Sequence, residues 1–235
     1  FDPGFSESSF GSRPKRSAHG AIRQVKTFVK SGYRYAVDLD LEKFFDTVNH
    51  DVLMSRIARK VTDKVLLGLI GRYLRAGVLV GWTIEATDWG TPQGSPLSPL
   101  LSNILLDDLD QELEARGHRF IRYMDDLVIL VKSRRAGRRV MAKISHYLTQ
   151  KLKLKVNREK SRVVKIEDLE YLGFTFRGIR IFASHQAWQD FKHRLKGFTS
   201  RSWGVSMAER IERLNRYLRG WMNYFGISQH YRPIE

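Results

Sequence analysis

Residues 120–131 read Phe-Ile-Arg-Tyr-Met-Asp-Asp-Leu-Val-Ile-Leu-Val. Runs of aromatic and branched apolar residues flank two adjacent aspartates. This pattern predicts a β-hairpin with its turn at the aspartates. Burying unpaired charge is costly, so Asp125 and Asp126 belong at the end of a sheet rather than inside it. A second stretch has the same character. Tyr-Ala-Val-Asp-Leu-Asp-Leu-Glu-Lys-Phe-Phe-Asp, residues 35–46, ends an apolar strand in carboxylates. Asp38, Asp40 and Asp46 alternate, which places them on one face while the chain stays extended.

Pairing this strand beside the hairpin would bring three carboxylates together, a cluster that repels itself until a cation binds. Oxygen donors without Cys or His select Mg²⁺, with Mn²⁺ as an alternative. Two such ions, about 3.5–4 Å apart, are the usual arrangement for in-line phosphoryl transfer. The alternative is ordinary: each aspartate caps a turn or pairs with a neighbouring cation such as Arg122.

Residues 89–99, Trp-Gly-Thr-Pro-Gln-Gly-Ser-Pro-Leu-Ser-Pro, form a third stretch. Gly90 and Gly94 permit close backbone approach and three prolines stiffen the segment. It leads into a helix N-terminus, which favours phosphate. No Gly-Lys-Ser/Thr ends it, so it is not a Walker A loop.

Composition narrows the classes. Net charge is +16 over 235 residues, which points to a polyanionic partner. The charge is uneven: Tyr35–Val131 holds 10 Lys and Arg against 15 Asp and Glu, whereas Lys132–Lys165 holds 13 against the single acid Glu159. An acidic middle flanked by basic segments suits a metal site whose surroundings grip phosphates. With no cysteine, disulfides and Cys-ligated zinc are excluded. No apolar run reaches membrane-spanning length, so no membrane partner is expected.

Along the chain, Ser17 caps a helix to about Lys30, and Tyr33–Leu41 is a strand. Asn49-His50-Asp51 starts a helix, another runs near Asp63–Arg75, and Gly77–Ala86 is a hairpin. Pro96–Leu113 is a helix, and Gly137–Leu152 is a basic amphipathic one. Val163–Ile166, Tyr171–Phe176 and Ile179–Phe182 are short strands. Beyond Gln186 the pattern is helical, with Ser206 and Glu209 at capping-box spacing. Ile211, Leu214, Leu218, Trp221 and Phe225 read as the core stripe of the last helix. The fold class is α+β followed by an all-helical part.

Asp40 with Phe44-Phe45-Asp46, then Thr-Pro-Gln-Gly-Ser-Pro-Leu-Ser-Pro, then Tyr-Met-Asp-Asp resemble motifs A, B and C of reverse transcriptases in order and spacing. Other stretches are similar to group II intron-encoded reverse transcriptases and maturases: residues 10–19, 155–161, Tyr-Leu-Gly-Phe at 171–174, and 213–224. The resemblance implies a right-hand polymerase that begins within the fingers and lacks the family's N-terminal segments. It would comprise partial fingers at 1–32, a palm at 33–182 and a helical thumb or start of the maturase region at 183–235. It implies two Mg²⁺ held by Asp40, Asp125, Asp126 and the Leu41 carbonyl, with Asp40 chosen over Asp38 because Phe45 lies five positions on. Phe45 would exclude a ribose 2′-hydroxyl. The amides of Lys43 and Phe44 would face the triphosphate, and Gln93 and Gly94 would line the nucleotide and template pocket.

Lys160 would approach the phosphates or stay solvated. Arg13 and Arg16 would contact template or serve as surface charges. Tyr123 and Met124 would lie beside the primer terminus, although Ala is usual at the Met124 position in the group II family. Arg210 and Arg213 would meet nucleic acid or solvent, and the basic tract 132–165 would hold phosphate backbone. The implied activity is RNA-directed DNA polymerisation from dNTPs on an RNA or DNA template with a DNA primer, in the bacterial cytoplasm, with intron RNA as a further partner. The alternative function is a splicing-assisting RNA binder without polymerase activity.

Overall fold

The computed structural model describes residues 1–76, 78–80, 83–85, 90, 96–201 and 203–229. Ser17 accepts a hydrogen bond from the Gly20 amide and starts α1 (Ala18–Lys30), which buries Ile22, Val25 and Val29. Then come β1 (Tyr35–Leu39), the single turn α2 (Phe44–Thr47), α3 (His50–Ile57) and α4 (Lys64–Arg75). Asn49 caps α3 and Asp63 caps α4 through their side-chain oxygens. The pair β2 (Val78–Val80) and β3 (Thr83–Glu85) is antiparallel. The central helix is α5 (Ser98–Ala115), followed by the hairpin β4 (Arg119–Tyr123) and β5 (Asp126–Val131).

After α6 (Arg134–Lys151) the chain forms β6 (Arg162–Lys165), β7 (Glu170–Tyr171), β8 (Phe174–Arg177) and β9 (Arg180–Ala183). Two helices close it, α7 (His185–Phe198) and α8 (Met207–Phe225). The main sheet has the antiparallel order β4-β5-β1-β6. Its strands are covered on both faces, which explains the unbroken apolar run of β5. Val37, Leu39, Phe120, Ile129 and Val131 join one core with α5 and α6. Ala36, Ile121, Val128 and Leu130 join another with α1 and the β7-β8-β9 sheet.

Several expectations shift. Basic helix α6 begins at Arg134 because Ser133 caps it through the Ala136 amide, and Gly137 sits inside it. A Cβ at Gly137 would come within 2.5 Å of Val163 Cγ1, so glycine there sets how closely helix and sheet approach. The strand expected at 171–176 is broken by a tight turn at Leu172 and Gly173, whose φ values are +50° and +77°. The stripe expected as the core of α8 is only partly covered, and Ile211 is 51% exposed. The aromatic end of the stripe is what packs: Trp221 lies 4.5 Å from Phe191 and Phe225 lies 5.2 Å from Phe174, between ring centroids. Glu209 gives only half of a capping box, since its amide donates to Ser206 while its carboxylate pairs with Arg213.

Candidate active site

Strand register decides which acids meet. In the β1–β5 pair Leu39 faces Leu127, so Asp40, one residue beyond β1, arrives beside the turn that carries Asp125 and Asp126. Asp38 faces Val128 on one side and Arg162 on the other, and its carboxylate lies 3.3 Å from the Arg162 guanidinium. The extended alternation expected through Asp46 ends at Asp40. Lys43 adopts a left-handed conformation (φ +45°) and the chain turns into α2, which carries Asp46 away from the strand face.

The electrostatics record the crowding. Partial burial, then repulsion by Asp125, Asp38 and Asp40, pushes the Asp126 carboxyl up to about 6. Burial and the nearby Asp40 also raise Asp125, and burial raises Asp38 against the opposing pull of Arg162. Among the described residues no three acidic or histidine side chains converge tightly enough to cage an ion. The carboxylates gather at one sheet end and stand apart, as like charges do. Their chemistry fits a divalent cation nonetheless: hard oxygen donors whose mutual repulsion a cation relieves, in a chain without thiols.

The raised Asp126 value has a calculable sign. The folded chain holds this proton more tightly than the unfolded chain, whose value is near 3.8. Stability therefore rises as pH falls through about 6 and the gain is complete below the ordinary value. At neutral pH the charged group opposes folding. Asp126→Asn is expected to raise the thermal midpoint in metal-free buffer at pH 7, with the difference shrinking towards pH 4. Thermal unfolding at both pH values checks it, and an equal difference at both would refute the assignment.

The backbone around Asp40 is clamped. Its amide donates to the Ser161 hydroxyl at 3.1 Å and its carbonyl accepts from the Asn157 amide at 2.9 Å. Leu41 and Val156 form an isolated antiparallel bridge, flanked by the bonds from Glu42 to Lys155 and from Asn157 to Asp40. The hydrogen bonds of that pair thus lie on either side of Leu41, which leaves its carbonyl outside the ladder. Lys160 lies exposed on the turn that supplies Asn157 and Ser161. Phe44 is buried in the core and Phe45 lies half-buried beside it, ring centroids 5.2 Å apart and edge to face. Gly90 sits against this turn: a Cβ there would lie 3.0 Å from the Phe45 carbonyl, and its φ of +92° favours glycine. Gln93 and Gly94 lie outside the described residues.

The hairpin turn is held from beneath. Met124 has φ +59°, uncommon for a residue with a side chain. The Met124 carbonyl accepts from Arg122 Nη1 at 2.8 Å. Arg122 does not neutralise the turn aspartates by an ion pair; its fully buried guanidinium forks onto fully buried Asp110 of α5, with Nε–Oδ1 at 2.8 Å. It also donates to the Asn103 side-chain oxygen and the Ser9 hydroxyl, both at 2.9 Å. The Asn103 amide nitrogen in turn donates to the Gly11 carbonyl at 2.9 Å. A Cβ at Gly11 would collide with the Met124 amide, so the N-terminal segment presses directly against the turn. Ser9 bridges Arg122 in parallel along the edge of β4. This network is not evident in the sequence. Its signal is an arginine inside an apolar strand together with acids on an apolar helix, but nothing local chooses Asp110 over Asp107 or Asp108.

Three expected nucleic-acid contacts are engaged within the protein. Arg13 is nearly buried, paired with Asp2 and donating to the Ser9 carbonyl at 3.0 Å. Arg16 grips the Glu7 carbonyl and carboxylate and lies over the Phe10 ring. Arg210 donates to the Ser200 and Trp203 carbonyls at 2.8 and 2.9 Å. These guanidiniums hold loop carbonyls within the protein. Arg213 pairs with Glu209 and lies over Trp203. Tyr123 is half-buried at the end of β4, against the second core.

Comparison with known proteins agrees with this layout. The family model for "Reverse transcriptase (RNA-dependent DNA polymerase)" matches residues 2–176, and that for "Group II intron, maturase-specific domain" matches residues 188–234. Protein YkfC of Escherichia coli is 30% identical over 226 residues, which covers 80% of this chain and 58% of YkfC. The group II intron-encoded protein LtrA of Lactococcus lactis is 40% identical over 111 residues, 47% of this chain and 18% of LtrA. The chain thus spans under two thirds of either relative. A structure of apo telomerase from Candida tropicalis, truncated from its C-terminal domain, superposes with a TM-score of 0.59 at 17% identity, over 78% of this chain and 42% of that one. That likeness is one of fold, a right-hand polymerase. With three quarters of its length matched by the reverse transcriptase model, the chain belongs to the reverse transcriptase family, and its residues 188–234 match the maturase-specific domain of group II introns.

Proposed function

We propose that this chain is the polymerising core of an RNA-directed DNA polymerase, extending a DNA primer with dNTPs on an RNA template. The observation that carries the reading is the register that sets Asp40 beside Asp125 and Asp126, with the Asp126 carboxyl raised to about 6 by partial burial and then by its acidic neighbours. Asp40, Asp125, Asp126 and the Leu41 carbonyl would hold two divalent ions, Mg²⁺ or Mn²⁺. Bound there, the ions would supply activation of the primer 3′-hydroxyl and charge neutralisation at the leaving pyrophosphate.

The protein's own part is positioning. The amides of Lys43 and Phe44 head α2 without intrahelical partners and offer donors to a triphosphate. Phe45, braced by Phe44 and by the backbone contact at Gly90, would close the space beneath the sugar against a 2′-hydroxyl. Lys160, exposed on the same turn that clamps Asp40, would approach the phosphates. Residues 1–32 would be partial fingers, 33–182 the palm and 183–235 the thumb. The maturase-specific match over 188–234 favours a second reading in which the same chain also binds intron RNA. Primer extension on matched RNA and DNA templates with Mg²⁺ and dNTPs tests the leading reading. Extension on RNA is expected. RNA binding without extension on either template would overturn it and leave the maturase reading.

A further inference from the structure

The first cations of the basic tract lie away from the carboxylates, whereas Arg162 near its other end pairs with Asp38. Asp126 opens β5 and Val131 ends it, so Lys132, just before α6, lies about 20 Å away, at roughly 3.3–3.4 Å per residue along the strand. There α6 forms a ridge between two clefts. One, of about 1270 Å³, separates α6 from the end of α5 and the 116–119 connection, and Arg116, Arg119, Lys132, Arg139 and Lys143 line it. The other, of about 710 Å³, runs between α6 and residues 156–163 and is lined by Arg134, Arg138 and Arg158.

The first cleft contains one acid, Glu112, which Arg116 already neutralises; no acid lines the second. Among the described residues Arg134, Arg138, Arg139, Lys143 and Arg158 make no ion pair with a carboxylate. His118, on the wall of the first cleft, feels the resulting potential. Burial and its neighbours Arg116 and Lys143 hold its proton affinity below the usual range. The apolar side of α6 is not available to a partner, because Val140, Ile144 and Leu148 are buried in the core. A helix that enters a lipid surface exposes such a face, and this one does not.

We propose that α6 and its two flanking clefts form a second nucleic-acid site that grips the phosphate backbone of RNA lying outside the copied segment. Cations dominate the charged lining of both clefts, so binding there is mainly electrostatic and largely sequence-independent. The site stands whether or not the chain polymerises.

The test replaces Arg138, Arg139 and Lys143 with Gln, which keeps helix propensity on an exposed face. Affinity for a long single-stranded RNA of mixed sequence is measured across a NaCl series, beside extension of a short hairpin primer–template. Affinity for the long RNA is expected to fall about tenfold or more. The salt slope is expected to become shallower by about two, near 0.7 for each phosphate no longer neutralised. The KM for the short hairpin stays at its original value. Should the triple variant melt early, Lys143→Glu alone gives the same direction. Unchanged affinity and slope would show a solvated face and overturn the proposal. So would an equal loss on the short hairpin, which would make α6 part of the primer–template track. Loss of binding to phosphatidylserine vesicles with RNA affinity unchanged would overturn it in favour of a membrane surface.

Discussion

Asp125→Asn combined with Asp126→Asn is expected to abolish Mg²⁺-dependent primer extension while RNA binding survives. Amide side chains keep the size of the carboxylates and remove the charge that holds a divalent ion. Metal assistance contributes several kcal/mol to a phosphoryl-transfer transition state, so the rate should fall by about 10³–10⁵ or below detection. Binding to RNA should change little, because it rests on cations elsewhere on the surface. The variant also carries its own control against misfolding. It removes two carboxylates that repel one another and Asp40, so in metal-free buffer at pH 7 it should melt no earlier than the parent. Extension at the parental rate would remove Asp125 and Asp126 from the metal site. Loss of extension with an earlier melt would assign them a structural role instead.

Much of this site could be read from local sequence, because local rules place it. Alternation of apolar residues and a run of strand formers define β1, β4 and β5, and two acids at a strand junction define the turn. Ser17, Asn49, Asp63 and Ser206 all cap helices through the side-chain oxygen that sequence rules assign them. Long-range partners were not legible. Arg13, Arg16 and Arg210 look like free cations in sequence, and only the fold shows the carbonyls and carboxylates that occupy them. The basic tract reads as one phosphate-binding unit, yet the run from Asp126 to Val131 carries its first cations to the far end of the sheet. The stripe on α8 has helical periodicity, but periodicity cannot say how much of the stripe a neighbour covers. There the aromatic rings of α7 and β8, rather than the aliphatic residues, decide the contact.

The same limit hid the residue pair with the largest expected effect on folding, Arg122 and Asp110. Both side chains have zero exposure, and they share two hydrogen bonds. Removing one partner of a buried pair leaves an uncompensated charge and typically destabilises by about 3–5 kcal/mol. For a chain of this size Asp110→Ala should lower the thermal midpoint by roughly 6–20 °C. Stability is only half of the expectation. Arg122 also fixes the Met124 carbonyl from below, and Met124 occupies a left-handed conformation one residue before Asp125. A turn freed from that anchor would relax towards ordinary backbone angles and carry Asp125 with it.

The two roles separate in a compensated variant, Arg122→Met with Asp110→Leu. Apolar replacement of a buried ion pair is often neutral or stabilising, so the midpoint should recover in part, short of the parent because the Asn103 and Ser9 oxygens and the Met124 carbonyl lose their donor. Extension should not return, because no donor then reaches the Met124 carbonyl, and the loss should appear in kcat rather than in KM for primer–template. If the compensated variant recovers kcat along with its melting temperature, the network is scaffold alone and the turn positions its aspartates unaided. If stability returns and kcat remains low, the buried arginine is a positioning residue for the carboxylate site.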